Sequence, residues 1–253
     1  MVLGCWDPDT LPENFSLGII AKRRSGKSTL VKYLCWKHFR KQFPFVMVCT
    51  DTLYNQYYQD FIPEKDIHAG YQEKLINGLI ERQIRLKTAM AQCPKSKREN
   101  IQTLLILDDV TEVNHSKSLA RLLLQGRHLE ISIIVSIQDA TLIDRTKRDQ
   151  LDCVISMRQA NKVSRERIID SYLAVNSWRD GDEVLKEGTN EEFKMLVIDN
   201  TTTSYDLPEF CCQFKIPELP PKKFAMGNTR KYMWMYDTEI EELETAMEEQ
   251  TLH

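Results

Sequence analysis

Along this chain, short apolar runs that read as buried strands alternate with stretches of helical spacing. The first run, Leu17, Ile19 and Ile20, enters a polar turn-forming segment, Ala21–Lys22–Arg23–Arg24–Ser25–Gly26. Lys27–Ser28–Thr29 then opens a helix with Leu30, Val31 and Leu34 on its apolar side, continuing to about Lys41. Phe45–Cys49 is a continuous β-rich run, the pattern of a strand buried on both faces in a parallel sheet covered by helices. From Leu53 to Ile67 the pattern is irregular and aromatic (Tyr54, Tyr57, Tyr58, Phe61), and Pro63 breaks it. Between Gln72 and Gln92, Leu75, Leu79, Ile80, Gln83, Leu86 and Met90 recur three or four apart, which predicts an amphipathic helix. Thr103–Leu107 is a second buried strand, ending in Asp108 and Asp109.

A short helix over Ser118–Leu124 precedes Gly126–Arg127–His128, and Ile131–Ile137 forms a strand closed by Gln138. Asp152–Ser156 is another short strand, Gln159 to about Tyr172 a basic helix, and Phe193–Ile198 a last core strand. At least five strands alternating with helices or loops predict an α/β three-layer sandwich around a mainly parallel sheet. Residues 1–14 read as a polar lead-in that packs Trp6 on the domain, and residues 15–205 as the domain itself. Residues 206–253 read as an extension in which Pro208, Pro217, Pro220 and Pro221 argue against core strands. It ends in an acidic amphipathic helix, Thr238 to about Gln250, with Ile240, Leu243 and Met247 on one side. Such a helix is either a solvated face or a docking element for another subunit or a shell protein. No internal repeat is found.

Composition narrows the class. At 253 residues, 42% hydrophobic and 28% charged, the chain is ordinary for a soluble globular protein. No run approaches the roughly 20 apolar residues that cross a bilayer. The N-terminus lacks the basic flank of a secretory signal. Seven cysteines lie scattered at 5, 35, 49, 93, 153, 211 and 212 with no CxxC pair. That fits reduced thiols in a cytosolic setting better than a disulfide frame or a zinc site. The five histidines are dispersed, which argues against a dedicated metal cluster. A net charge of −3 excludes a uniformly basic nucleic-acid coat and leaves room for a local basic patch.

The chemistry concentrates at the strand ends. A strand, a loop and a helix opened by Gly26–Lys27–Ser28 give the order a phosphate-binding loop needs. Lys22, Arg23, Arg24, Ser25, Gly26, Lys27, Ser28 and Thr29 would wrap a nucleotide's phosphates, because backbone N–H groups at a helix N-terminus favour an anion. Lys27 would reach the β/γ-phosphates, and the Ser28 hydroxyl would ligate Mg²⁺. The pattern asks for glycine at its first position and this chain has Ala21, which is tolerated if its φ is negative. A buried strand delivers Asp108 at its carboxyl end, where α/β sheets hold ligands. Asp108 would hold Mg²⁺ alongside Ser28, and Asp109 would orient or deprotonate an attacking water. Gln138, ending the next strand, can reach the γ-phosphate and sense its loss. Arg127 is either a surface arginine or an arginine finger for a neighbouring subunit's nucleotide. The bland alternatives are a chance Gly-Lys-Ser and an ordinary strand with an acidic turn.

Together, AKRRSGKST, LLILDDV and GRHLEISIIVSIQDA with its glutamine resemble the genome-packaging ATPases of large nucleocytoplasmic DNA viruses. These form a branch of the FtsK–HerA superfamily of P-loop DNA translocases, and the resemblance covers about residues 15–200. It implies a P-loop NTPase sandwich that hydrolyses ATP with Mg²⁺ and moves double-stranded DNA into a preformed capsid as a homo-oligomeric ring. It also implies capsid, portal or membrane proteins as docking partners, without a membrane span of its own. The implied location is the cytoplasm of the infected cell, at assembly sites, and the virion.

By the match, Lys27 and Ser28 align with the working residues of the phosphate loop, and Asp108 and Asp109 with the metal and catalytic acids. Gln138 aligns with the sensor and Arg127 with the trans-acting arginine. Two departures stand out. Ala21 replaces the leading glycine, and Asp109 stands where many relatives carry Glu; one methylene shorter, it needs its water closer or indirectly held. With no length for a nuclease domain, a cutting role is not expected. Lys95–Arg98 and Arg145–Arg148 are the candidate DNA-gripping stretches, each equally readable as a solvated loop. Two other functions stay open: a nucleoside or nucleotide kinase with the basic helix Arg158–Arg167 as its lid, and a non-catalytic ATP-binding scaffold.

Overall fold

The computed structural model describes residues 3–110, 112–173, 175, 177–204 and 206–226, and the expected acidic helix at 238–250 lies outside them. Nine strands form one sheet: β1 (Gly4–Cys5), β2 (Ser16–Ile20), β3 (Phe45–Thr50), β4 (Ile67–Ala69), β5 (Thr103–Asp108), β6 (Ile131–Ile137), β7 (Cys153–Ser156), β8 (Lys194–Asp199) and β9 (Cys211–Lys215). Their order is β1-β9-β8-β7-β2-β6-β5-β3-β4. Every pairing from β7 through β2, β6, β5 and β3 to β4 is parallel, while β8 runs antiparallel to both β7 and β9.

The central strands are buried along their whole length, as continuous apolar runs in a covered parallel sheet must be. Alternate residues face opposite layers. On one face Leu17, Ile19, Leu104, Ile106 and Ile134 pack with Leu30, Val31 and Leu34 of α1 (Lys27–Leu34) and with Phe39, Phe43, Tyr58 and Phe61. On the other, Ile20, Leu105, Leu107, Ile133 and Val135 pack with Ile76, Leu79 and Ile80 of α2 (Glu73–Gln92) and with Leu119 and Leu122 of α3 (Lys117–Gln125). The helix spacing over 72–92 therefore predicts α2 to within a residue. The first helix reaches nearly as far as expected, but its last turn, Cys35–Phe39, widens to π geometry.

After α4 (Arg145–Arg148), α5 (Lys162–Tyr172) and α6 (Trp178–Gly188) complete the second layer. The spacing argument did not find α6. An ion pair joins the two helices, with the Arg165 Nε 2.5 Å from the buried Asp182 Oδ1.

Described residues from both flanking segments join the sheet. The proline-punctuated stretch expected to lack core strands supplies β9, because its prolines (Pro208, Pro217, Pro220, Pro221) all fall outside Cys211–Lys215. The lead-in supplies β1, and Trp6 meets Phe214 edge-on at 5.4 Å, as the expected packing of Trp6 requires. Residues 222–226 return across α1: buried Lys32 donates to the Lys222 carbonyl at 2.6 Å, and Arg40 to that of Ala225 at 3.1 Å. The dispersed His38 is brought to Asp9, 2.7 Å away and near Asp7, where it ties the N-terminal segment to the π turn. Among the described residues no helix is long and apolar enough to cross a membrane.

Candidate active site

Because β2, β6 and β5 are parallel neighbours, their carboxyl ends share one edge of the sheet. The register sets Ile20 beside Ile137 and Asp108 beside Ser136. The loops leaving that edge carry Ala21–Gly26, Asp109 and Gln138, so sequence segments far apart converge through strand direction alone.

In the first loop, Arg24 (φ 60°) and Gly26 (φ 94°) are left-handed, and Ala21 is not. The leading position thus accepts a Cβ, and Ala21, fully buried, donates its N–H to the Ile137 carbonyl at 3.0 Å. The Ser25 hydroxyl closes the turn onto the Lys22 carbonyl at 2.6 Å. Gly26 is the N-cap of α1, and no side chain caps that helix end. Its first N–H groups therefore have no intrahelical or side-chain acceptor, the condition for anion binding. A Cβ on Gly26 would stand 3.2 Å from the Phe193 ring, so this glycine serves both its φ and a close aromatic contact.

Lys27 is 5% exposed and forms an ion pair with Asp109. Asp109 has φ 55°, and its N–H extends the sheet by one bond, to the Ser136 carbonyl at 3.1 Å. Left-handed backbone is tolerated best by Asn and Asp among residues with a side chain, and it turns this carboxylate back toward the loop.

Asp108 is 3% exposed. Its Oδ2 accepts from the Tyr58 hydroxyl at 2.8 Å and from Ser28 Oγ at 3.5 Å, and its buried Oδ1 has no partner among the described residues. Burial raises the Asp108 carboxyl above the ordinary carboxylate range; the nearby Ser136 hydroxyl, which makes no hydrogen bond of normal geometry among the described residues, and the Tyr58 hydroxyl oppose this. Burial also pushes Tyr58 well above its ordinary value, helped by the Asp108 charge, so Tyr58 stays a donor at neutral pH. Tyr57 donates to the Ser28 carbonyl at 3.1 Å, and burial pushes it up to about 12. A buried carboxylate oxygen without a donor, next to a serine hydroxyl, is a hard-oxygen pair that suits a small divalent cation.

Gln138 is half-buried immediately after Ile137, at the same edge as Ala21. Arg127 is elsewhere. It is exposed in the turn Gly126–Leu129 before β6, and its carbonyl accepts from Asn14 at 3.4 Å, ahead of β2. The seven residues of β6 separate it from the phosphate loop by roughly 20 Å, beyond an arginine's reach to its own site.

The basic stretches also divide. Lys95 and Lys97 are exposed in a turn at the edge away from the loop, whereas Arg98 caps α2 through the Ala91 and Cys93 carbonyls. In Arg145–Arg148, Lys147 is buried and bonded to Asp144 and to the Asn114 carbonyl, and Arg148 is held by Ser171 and the Tyr172 ring. Only Arg145 of that trio is a solvated cation, which corrects the reading of this stretch as a basic grip.

Sequence reasoning left Tyr57, Tyr58 and Phe193 without a role. The density of tyrosines after β3 was a visible signal for the first two. Phe193 gave none, since it reads as the first residue of a strand. Its φ of 56° and its place against Gly26 exist only in the fold. A cavity of about 370 Å³ opens beside the loop, lined by Lys22, Arg23, Arg24, Met157, Arg158 and Phe193 among others.

The family model of the poxvirus A32 protein matches residues 8–215. The chain belongs to this family. The match bears out the resemblance carried by the loop, the Asp-Asp strand and the glutamine-tipped strand. Protein 075L of Invertebrate iridescent virus 6 is 29% identical over 214 residues, 83% of this A32-family chain and 80% of its own. Protein L437 of Acanthamoeba polyphaga mimivirus is 24% identical over 220 residues, 84% of this chain and 75% of its own. Among solved structures, the genome packaging NTPase B204 of Sulfolobus turreted icosahedral virus 2 superposes with a TM-score of 0.56 at 14% identity, covering 83% of this chain and all of that one. The conjugation coupling protein TcpA of pCW3 gives 0.57 at 14%, covering 80% and 60%. The fold is that of these P-loop NTPases, as expected.

Proposed function

We propose that this A32-family chain is an ATP-hydrolysing motor that moves double-stranded DNA into a viral capsid. One observation carries the chemistry: an uncapped helix start, the Lys27–Asp109 pair and an Asp108 oxygen with no partner among the described residues lie at one sheet edge. The packaging reading draws on the family match and on the neighbouring B204, a genome packaging NTPase solved with ATP analogues. The triphosphate binds on the N–H groups that begin α1, and its nucleoside half has room in the cavity beside Phe193. Lys27 is the hinge of the site. A bound triphosphate offers it more negative charge than Asp109 does, so Lys27 moves to the β/γ oxygens and Asp109 is left with a free carboxylate. Asp109 then accepts a proton from the water that attacks the γ-phosphorus while the bond to the β-phosphate oxygen breaks.

Ser28 and Asp108 would hold Mg²⁺, which when bound neutralises charge on the β and γ oxygens. Tyr58 fixes the Asp108 carboxylate and Tyr57 the backbone of Ser28. Gln138 stands where loss of the γ-phosphate can be sensed. Arg127, too far from its own site, serves that of the next subunit in a homo-oligomeric ring. Solvated Lys95 and Lys97 remain as phosphate contacts for DNA.

The test is ATP turnover with and without double-stranded DNA, beside the oligomeric state. Stimulation by DNA in a nucleotide-dependent ring is the expected result. Turnover that needs a small nucleoside acceptor and ignores DNA would instead favour a kinase.

A further inference from the structure

The two side chains proposed to hold Mg²⁺ come from different elements, Ser28 from α1 and Asp108 from β5, and one short segment is bonded to both. Tyr57 donates to the Ser28 carbonyl at 3.1 Å, and Tyr58 to Asp108 Oδ2 at 2.8 Å. The spacing of the pair, 3.5 Å from Ser28 Oγ to Asp108 Oδ2, therefore depends on where residues 57–61 lie against α1.

Lys32 fixes that segment. It stands one turn after Ser28 on the same face of α1, and it is 5% exposed. Its ammonium meets four groups. The Lys222 carbonyl lies at 2.6 Å and the Asp60 carboxylate at 3.7 Å. The Tyr57 and Phe61 rings lie 5.0 and 5.3 Å away, measured to their centroids. Three of the four belong to residues 57–61. A buried ammonium is a poor source of net stability, because its desolvation offsets its contacts. What it supplies is position, since one carbonyl, one carboxylate and two ring faces must be met at once. From the other side, residues 222–226 close over the same segment. The Phe224 N–H donates to the Asp60 carbonyl at 3.4 Å and the Met226 N–H to the Phe61 carbonyl at 2.8 Å. The Phe224 ring stacks on Phe61 at 4.8 Å. Helix, segment and strap thus meet at one ammonium.

We propose that Lys32 is a positioning residue for the metal pair. With the strap 222–226 it clamps residues 57–61 against α1, and so holds Ser28 and Asp108 at a fixed spacing. The inference rests on the Mg²⁺ reading of those two residues. Mg²⁺ is a cation for which such a clamp matters, because it demands near-ideal octahedral geometry.

Equilibrium binding of a fluorescent non-hydrolysable ATP analogue, in Mg²⁺ and in EDTA, tests this without turnover. The phosphate loop sets the affinity in EDTA, and the metal pair sets the gain that Mg²⁺ adds. Lys32→Met, similar in length and uncharged, should cut that gain about tenfold, the usual effect of removing support from a metal ligand, and leave the EDTA affinity unchanged. Phe224→Ala, in the strap, should cut the gain a few-fold. A purely structural role moves both affinities together or moves neither. A Mg²⁺ gain kept by either variant overturns the proposal, and so does an equal loss in Mg²⁺ and in EDTA. Should Lys32→Met fail to fold, Phe224→Ala decides by the same criterion. A wild type that gains nothing from Mg²⁺ would remove the metal assignment itself, and the clamp with it.

Discussion

Lys27 and Asp109 hold each other as a pair, one from the start of α1 and the other from a left-handed residue just past β5. On the proposed mechanism the pair holds two roles in one contact: the cation for a triphosphate and the base for a water. Asp109→Asn should therefore separate binding from turnover. Freed from its counter-charge, Lys27 binds ATP about tenfold more tightly, about 1.4 kcal/mol, while kcat falls about a hundredfold or more. Equilibrium titration with a fluorescent nucleotide, run beside steady-state hydrolysis, checks both halves. Parallel losses in affinity and turnover would show that the pair is structural.

Tyr58 gives Asp108 a 2.8 Å hydrogen bond, shorter than the one from Ser28. Tyr58→Phe removes a hydrogen bond to a buried carboxylate and should cost about 1.5–3 kcal/mol, seen as a lower urea midpoint with unchanged slope. It should also raise the Mg²⁺ concentration needed for half-maximal ATP turnover. An unaltered Mg²⁺ dependence would mean that Tyr58 only packs.

The buried Asp108 sets a pH dependence of the nucleotide-free protein. Folding raises its pKa through burial, so the stability tied to this group is present below its ordinary value, about 3.9, and is lost as pH rises through the raised one. Removing the charge with Asp108→Asn should therefore raise Tm at pH 7, by about 2–4 °C for each kcal/mol, and the gain should vanish near pH 3. Thermal unfolding at a series of pH values reads this directly. The same variant should lose Mg²⁺-dependent ATP turnover.

Arg127 stands at the wrong edge of the sheet for its own nucleotide. Arg127→Ala should lower kcat by about a thousandfold and leave nucleotide affinity alone. Mixing it with Lys27→Ala protein should restore part of the activity, because a Lys27→Ala subunit still offers its arginine to an Arg127→Ala neighbour. No recovery on mixing would return Arg127 to the surface.

The legible part of this protein is the part set by local pattern. Strands β2, β3, β5 and β6 show in the sequence as short, mostly apolar runs because both of their faces are covered. Lys27, Ser28, Asp108, Asp109 and Gln138 show because each sits next to such a run or to the helix it feeds. Once neighbouring strands run parallel, their carboxyl ends must meet, so the convergence of these residues follows from the pattern itself. The site's support is less legible. Tyr58 lies in an irregular segment with no periodicity to read, and it reaches Asp108 only because the chain after β3 folds back over the strand ends. Lys147 and Arg148 look like solvated charges beside Arg145, yet Asp144, Asn114 and Ser171 arrive from other segments to bury and bind them.

By itself, then, the sequence determined an α/β sandwich and a Gly-Lys-Ser loop with two acids and a glutamine beside it. Hydrophobic periodicity and turn chemistry act over a few residues and do not depend on the rest of the fold. Only the tertiary structure decided that Ala21 is harmless, since its φ depends on how β2 meets β6. It also decided that Asp109 turns back onto Lys27, that Arg127 lies the length of β6 away from the loop, and that Gly4–Cys5 and Cys211–Lys215 extend the sheet. Each of these depends on contacts between segments far apart in sequence, and such contacts leave no trace in the residues on either side of them.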